Sequence, residues 1–99
     1  MADLTVDRSS GLPIVLPVTG LTVSPFPGGF DLSWDASPAL DVHDYEITRN
    51  DGETFRTSAT GLRDTYLLTS LSIYQWSVSV HAGRKHSVPS TTGNFKFQY

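Results

Sequence analysis

Apolar and polar residues alternate along this chain with a period of two, most cleanly over Tyr74–Ala82. Tyr74, Trp76, Val78, Val80 and Ala82 fall on one face, and Gln75, Ser77, Ser79 and His81 on the other. Large apolar groups set against small polar ones at that period predict a strand with one wet face and one buried face. A strand of this kind needs a second sheet to cover it, and the rest of the chain supplies the parts. Leu21 and Val23 alternate ahead of a turn at Pro25, Pro27, Gly28 and Gly29. Phe30, Leu32 and Trp34 point one way and Asp31, Ser33 and Asp35 the other, which predicts a second strand. Ala36–Asp44, containing Pro38, reads as a loop, after which Tyr45 and Ile47 restart the alternation. Asn50-Asp51-Gly52 is a strong turn signal, because these residues tolerate positive φ. A short strand is expected around Phe55, punctuation at Gly61 and Asp64, and then Tyr66, Leu68 and Leu71 lead into the Tyr74–Ala82 zigzag. A last strand is expected where Phe95, Phe97 and Tyr99 alternate with Lys96 and Gln98. No segment longer than a few residues has a period of 3.6. Seven short strands separated by turns predict an all-β, two-sheet sandwich over residues 20–99.

Residues 1–19 break the pattern and are expected to form an extended N-terminal arm or linker. Gly11–Val18 is apolar but carries Pro13 and Pro17, and proline cannot donate to a ladder, so such a run belongs at a sheet edge or in an arm. Leu12, Ile14, Val15 and Leu16 are four branched aliphatics that fit poorly in bare water. A leader ahead of a broken first strand is one reading of them, and addition to a neighbour's sheet edge is the other.

The residues in order then resemble those of a fibronectin type III domain. The resemblance rests on Trp34 within Leu32-Ser33-Trp34-Asp35, Tyr45-Glu46-Ile47, Tyr66–Leu71 leading into Trp76–Ala82, and Gly83 followed by Ser87-Val88-Pro89-Ser90. It spans about Gly20 to Phe97 and implies a seven-stranded, immunoglobulin-like sandwich. In that family a tyrosine opening the sixth strand hydrogen-bonds back across a corner. Trp76 takes that register here, with Tyr74 two residues earlier on the same face.

Composition narrows the function. Ninety-nine residues give one domain, with 38% hydrophobic and 17% charged residues, the latter below the usual soluble share of about 25%. A formal charge of −3 argues against nucleic acid, whose binders show a basic footprint. The chain has no cysteine, so neither a disulfide nor a thiolate metal site is expected and the fold suits a reducing compartment. The N-terminus lacks a secretory signal pattern, and no apolar run reaches the roughly 18–20 residues of a membrane span.

The candidate chemistry is thin. Ser77 and Ser79 neighbour His81 on one polar strand face, but no Gly-x-Ser-x-Gly elbow is present. Asp41, His43 and Asp44 in one loop and His86 in another are expected at the same pole, yet their spacing matches no metal motif. Pro27-Gly28-Gly29 is a hairpin turn with no helix behind it to bind phosphate. No catalytic residue, cofactor or metal is therefore expected.

Arg84-Lys85-His86 is the densest basic patch, and beside the acidic Asp41–Asp44 loop it would form a dipolar tip for protein or glycan recognition. The partner-binding residues expected from sequence are thus Leu12, Ile14, Val15, Leu16, Arg84, Lys85 and His86. The expected partners are proteins: neighbouring subunits of an assembly, other copies included. A glycan or cell surface is a further class, and nucleic acid and a membrane span are excluded. The setting these features suggest is a virion, as a phage tail or capsid accessory. The alternative is a module of an extracellular adhesion or receptor protein, or a spacer in a polysaccharide-degrading enzyme. Because the core rests on alternation, Trp34→Ala is expected to cost roughly 3–5 kcal/mol. A melting temperature left nearly unchanged would show that the register is wrong.

Overall fold

A computed structural model of the protein describes residues 15–39 and 41–98. In order along the chain, the strands are β1 (Thr22–Phe26), β2 (Gly29–Ser33), β3 (Val42–Arg49), β4 (Thr54–Thr57), β5 (Gly61–Asp64), β6 (Ile73–Tyr74), β7 (Trp76–Ala82), β8 (Lys85–His86), β9 (Ser90–Thr91) and β10 (Phe95–Lys96). All pairings are antiparallel. One sheet has the order β1-β2-β5. The other has the order β9-β7-β3-β4, with β8 also paired to β7, and β6 pairs with β10. This is the expected all-β sandwich, with β6 and β7 dividing the expected Tyr74–Ala82 strand, β8 and β9 added ahead of the last one, and β5 standing where Gly61 and Asp64 read as punctuation. The division has a local cause. At Gln75 the ladder passes to side chains: Asn50 Oδ1 accepts from Gln75 N (3.2 Å), and Thr92 Oγ1 accepts from Trp76 N (3.1 Å).

The core forms between the sheets from the residues whose alternation predicted it. Phe30, Leu32, Trp34, Tyr45, Ile47, Tyr74, Trp76, Val78, Val80, Ala82 and Phe97 are all buried, and Val18 joins them from ahead of β1. Phe30 is the aromatic hub. Its ring lies 4.9 Å from Trp76, 5.9 Å from Phe97, and 6.4 Å from both Tyr74 and Phe95, within the range where edge and tilted contacts are favourable. Gly29 opens β2 because a Cβ there would strike the Asp64 carbonyl and the Thr65 methyl. Trp34 packs against Tyr45 at 5.4 Å, and its indole nitrogen has no hydrogen-bond partner among the described residues.

A buried ion pair ties the two sheets together. Arg49 ends β3 in one sheet and is 1% exposed, and Asp64 ends β5 in the other and is equally buried. Arg49 Nη1 donates to both oxygens of Asp64 (3.1 and 3.0 Å) and to the Tyr66 carbonyl (2.8 Å). Its Nε and Nη2 bind Asp51 in a fork at 2.9 and 2.8 Å. The guanidinium also lies over the rings of Tyr74 (5.0 Å) and Phe55 (5.8 Å). Asp64 accepts further bonds from Trp76 Nε1 (2.8 Å) and Tyr66 N (3.0 Å). Buried charge is tolerated when its bonds are saturated in this way.

The corner differs from the expectation. Tyr74, not Trp76, makes the backward bond, its hydroxyl accepting from Thr69 N at 2.7 Å. Trp76 has instead turned its indole N–H to Asp64. The residues between Asp64 and β6 also depart from the pattern. Leu68 packs inward, but Tyr66 and Leu71 are 51% and 67% exposed, because Leu71 takes a left-handed turn (φ 69°) with its N–H donated to the Phe97 carbonyl.

Two predictions follow from these bonds. Asp64→Asn leaves the buried guanidinium with only the partly exposed Asp51 as counter-charge and is expected to cost about 3 kcal/mol, at the low end for breaking a buried pair, read as a lowered urea midpoint. A loss below about 1 kcal/mol would mean that the pair is not needed. The Asp51 carboxyl is held below its usual range by its hydrogen bonds from Arg49, against the opposing effect of desolvation. A lowered folded value gives stability that is fully present above the unfolded value near 4 and lost as pH falls through the folded one. The wild-type melting temperature should therefore drop on acidification below about pH 4 more steeply than that of Asp51→Asn. Parallel profiles would contradict the coupling.

Candidate functional site

The chain end that carries Arg84 is built by a tight hairpin. Gly83 (φ 59°) and Arg84 connect β7 to β8, and Ala82 and His81 pair with Lys85 and His86. Gly83 N donates to the Asp41 carbonyl at 3.0 Å, so the loop before β3 does meet the hairpin, as the sequence suggested. Arg84 and His86 are exposed and Lys85 is half-buried. The acidic half of the expected tip is not assembled as predicted. Val42–Asp44 already belongs to β3, and Asp44 faces across the sheet toward Arg56 (3.1 Å) rather than toward the hairpin. Among the described residues no group of three or more His, Asp or Glu is placed to hold a metal ion, so Asp41, His43, Asp44 and His86 do not converge.

The polar face of β7 forms a closed network with its neighbours. His81 Nε2 lies 3.3 Å from Glu46 Oε1, and its Nδ1 lies 3.4 Å from Arg56 Nη1 and 3.8 Å from Asp44 Oδ1. Arg56 also reaches Glu46 Oε2 at 3.4 Å. A proton on Nε2 directed at Glu46 leaves the Nδ1 lone pair for Arg56, which accounts for both ring nitrogens. His86 stacks on His81 with ring centroids 5.7 Å apart. Ser77 bonds Thr91 (3.0 Å) rather than a histidine. The strand face that offered a Ser–His pair in sequence is therefore held together by cross-strand bonds of its own.

The arm is partly in view. Val18 is buried, and its carbonyl accepts from Ser90 Oγ at 2.6 Å. Val15 packs against the core, whereas Leu16 is 57% exposed. Leu12 and Ile14 lie outside the described residues, as does Tyr99. Val88 is exposed too, and it stands two residues before Ser90 as Leu16 stands two before Val18. In sequence Val88 stands between Ser87 and Pro89, where no alternation marks its side.

The segment between Asp64 and β6, whose Tyr66, Leu68 and Leu71 read in sequence as leading into the zigzag, is largely turned outward. Tyr66, Leu67, Leu71 and Ile73 are four of the six large apolar side chains most exposed among the described residues. Leu67 (φ 48°) and Leu71 (φ 69°) both occupy the left-handed region, which costs a non-glycine residue about 1–2 kcal/mol. An aliphatic run in sequence reads as core, so nothing short of the backbone conformation would have placed these side chains outside.

No protein-family model matches this chain, and no curated protein matches it in sequence. Solved structures do. The rat CD45 extracellular region, domains d3–d4, superposes with a TM-score of 0.71 at 15% identity over 85% of this chain and 50% of that one. The Clostridium perfringens spore cortex lytic enzyme SleM superposes with a TM-score of 0.66 at 19% identity, over 93% of this chain and 31% of the enzyme. This chain thus spans half the length of the first and under a third of the second. At these identities the likeness concerns the fold, which is that of a fibronectin type III or immunoglobulin-like sandwich. Among the described residues no helix is long and apolar enough to cross a membrane.

Proposed function

We infer that the chain is a non-catalytic, protein-binding sandwich that serves as a structural accessory of a virion, in a phage tail or capsid. It docks on neighbouring subunits through Leu12, Ile14, Val15 and Leu16 of its arm, with the Arg84–His86 hairpin as a second contact. The observation that carries this reading is the split behaviour of one apolar run: Val18 is sunk in the sandwich while Leu16 stands in water. A run held on its own sandwich at Val15 and Val18 with Leu16 exposed between them presents an apolar side suited to be covered by another protein. The charged hairpin then sets orientation and encounter rate rather than the bulk of the affinity.

A second reading has its own support. Two of the solved structures that share this fold are an extracellular region and a cortex lytic enzyme, which favours a module of a longer extracellular or polysaccharide-degrading protein. The arm would then serve as a linker. A density gradient of lysate from the source organism, blotted for this chain, separates the two. The virion reading expects the chain to band with particles, and expects deletion of residues 1–16 to leave it at the top of the gradient. Arg84→Glu with Lys85→Glu should weaken the banding in a salt-dependent manner. Recovery with envelope or medium in the absence of particles contradicts the virion setting, and particle binding that survives the deletion contradicts the arm's role.

A further inference from the structure

We propose that the exposed segment between Asp64 and β6 is the seat for the arm of a second copy of this chain, so that copies join head to tail. This rests on the docking role of the arm argued above and adds where the arm lands. Two places in the described protein put large aliphatic side chains into water beyond a single residue's worth. One is the base of the arm, where Leu16 is exposed and where Val88 is exposed two residues before the Ser90 that binds the Val18 carbonyl. The other is the cluster of Tyr66, Leu67, Leu71 and Ile73. Each offers the other apolar cover, and they are different surfaces, so their contact is heterologous and propagates.

The backbone gives an independent reason to regard the cluster as displayed. Leu67 and Leu71 hold left-handed conformations that asparagine or glycine adopts more readily. Leu68, between them, is the residue that packs inward. A segment whose only task was to turn and to bury Leu68 would gain by having small or amide residues at 67 and 71. Leucine at both strained, exposed positions is accounted for if the side chains meet a partner. The charges agree with the arm as that partner. Lys96 is the cross-strand neighbour of Ile73 and is exposed, and the side chains ahead of the arm's apolar run, Asp3, Asp7 and Arg8, carry one net negative charge. The arm also has the right composition for an extended apolar ligand: Leu12, Ile14, Val15 and Leu16 are interrupted only by Pro13.

The test uses the full-length chain and sedimentation velocity over a concentration series. Wild type is expected to form a ladder of oligomers that grows with concentration. Leu67→Asn/Leu71→Asn removes the apolar display while placing amides where the backbone already favours them. It should keep or raise the melting temperature yet weaken self-association about tenfold or more. Leu12→Asp/Ile14→Asp should weaken it equally. Mixing the two variants is the decisive arm, because one retains a seat and the other an arm. A head-to-tail contact then yields a dimer that cannot extend, whereas a patch-on-patch contact yields none. Three results overturn the proposal: a wild type that stays monomeric at its highest soluble concentration, an asparagine variant that associates like wild type, or a mixture that does not pair. If deleting residues 1–16 abolishes association while the asparagine variant retains it, the arm's docking role stands and only its seat is wrong. Association that survives the deletion removes the docking role itself.

Discussion

Arg49 and Asp64 are the only fully buried charged side chains among the described residues, and much of the sandwich's lower half is arranged to make that burial tolerable. An isolated guanidinium in an apolar core would be prohibitive. Here it is enclosed by the two oxygens of Asp64, the fork of Asp51, the Tyr66 carbonyl and the faces of Tyr74 and Phe55. Each of those partners comes from a different part of the chain. The pair therefore fixes, in one place, the end of β3, the end of β5, the turn after β3 and the start of the displayed segment. Trp76 adds its indole N–H to the same carboxylate, which connects the polar clamp to the aromatic group around Phe30. A well-packed apolar replacement of similar volume can hold two sheets together equally well, but it does not specify their register by directed bonds.

That clamp also explains how an exposed apolar segment coexists with a stable fold. Tyr66 is bonded through both its N–H and its carbonyl, Thr69 N is held by the Tyr74 hydroxyl, Leu71 N donates to the Phe97 carbonyl and Phe97 N donates to the Ser72 carbonyl. The backbone of the segment is thus anchored at several points while its side chains at 66, 67 and 71 face outward. At the other end of the sandwich the arrangement is reversed. The Arg84 hairpin is polar at its tip, and it is supported by the pairing of β8 with β7, a backbone bond to Asp41 and the buried Ser87, whose hydroxyl accepts from Val80 N. One end is adapted to apolar contact and the other to charge.

How much of this was legible in the sequence follows from the range over which each signal acts. The β7 zigzag and the Phe30–Trp34 alternation are local, and both sheets came from them directly. The inward Trp34 and Tyr45 were placed by the same period. The clamp was not legible. Arg49 precedes an Asn-Asp-Gly turn and so looks like a solvated strand end, and Asp64 looks like punctuation. Only the crossing of β3 over β5 brings the two together, and no period encodes that crossing. The tyrosine corner falls two residues before the position the sequence suggests, because Tyr74 and Trp76 share a face and the alternation cannot distinguish them. What decides it is the hydrogen-bonding demand of each ring: the phenol reaches Thr69 and the indole reaches Asp64. The Leu67 and Leu71 side chains were misjudged for a related reason, since a leucine's sidedness outside a strand depends on φ, and sequence hydrophobicity carries no information about it.

The central claim is that one buried, fully bonded ion pair locks the two sheets and thereby holds the displayed segment in place. Native-state hydrogen exchange read at the Trp76 indole N–H and the Tyr66 amide tests it most directly, because both donate to Asp64. The account predicts that both exchange only with global unfolding, in the slowest class alongside the amides of Val78 and Val80. Exchange of the indole through small local openings, well ahead of those strand amides, would show that the clamp opens on its own and that the sheets are held by something else.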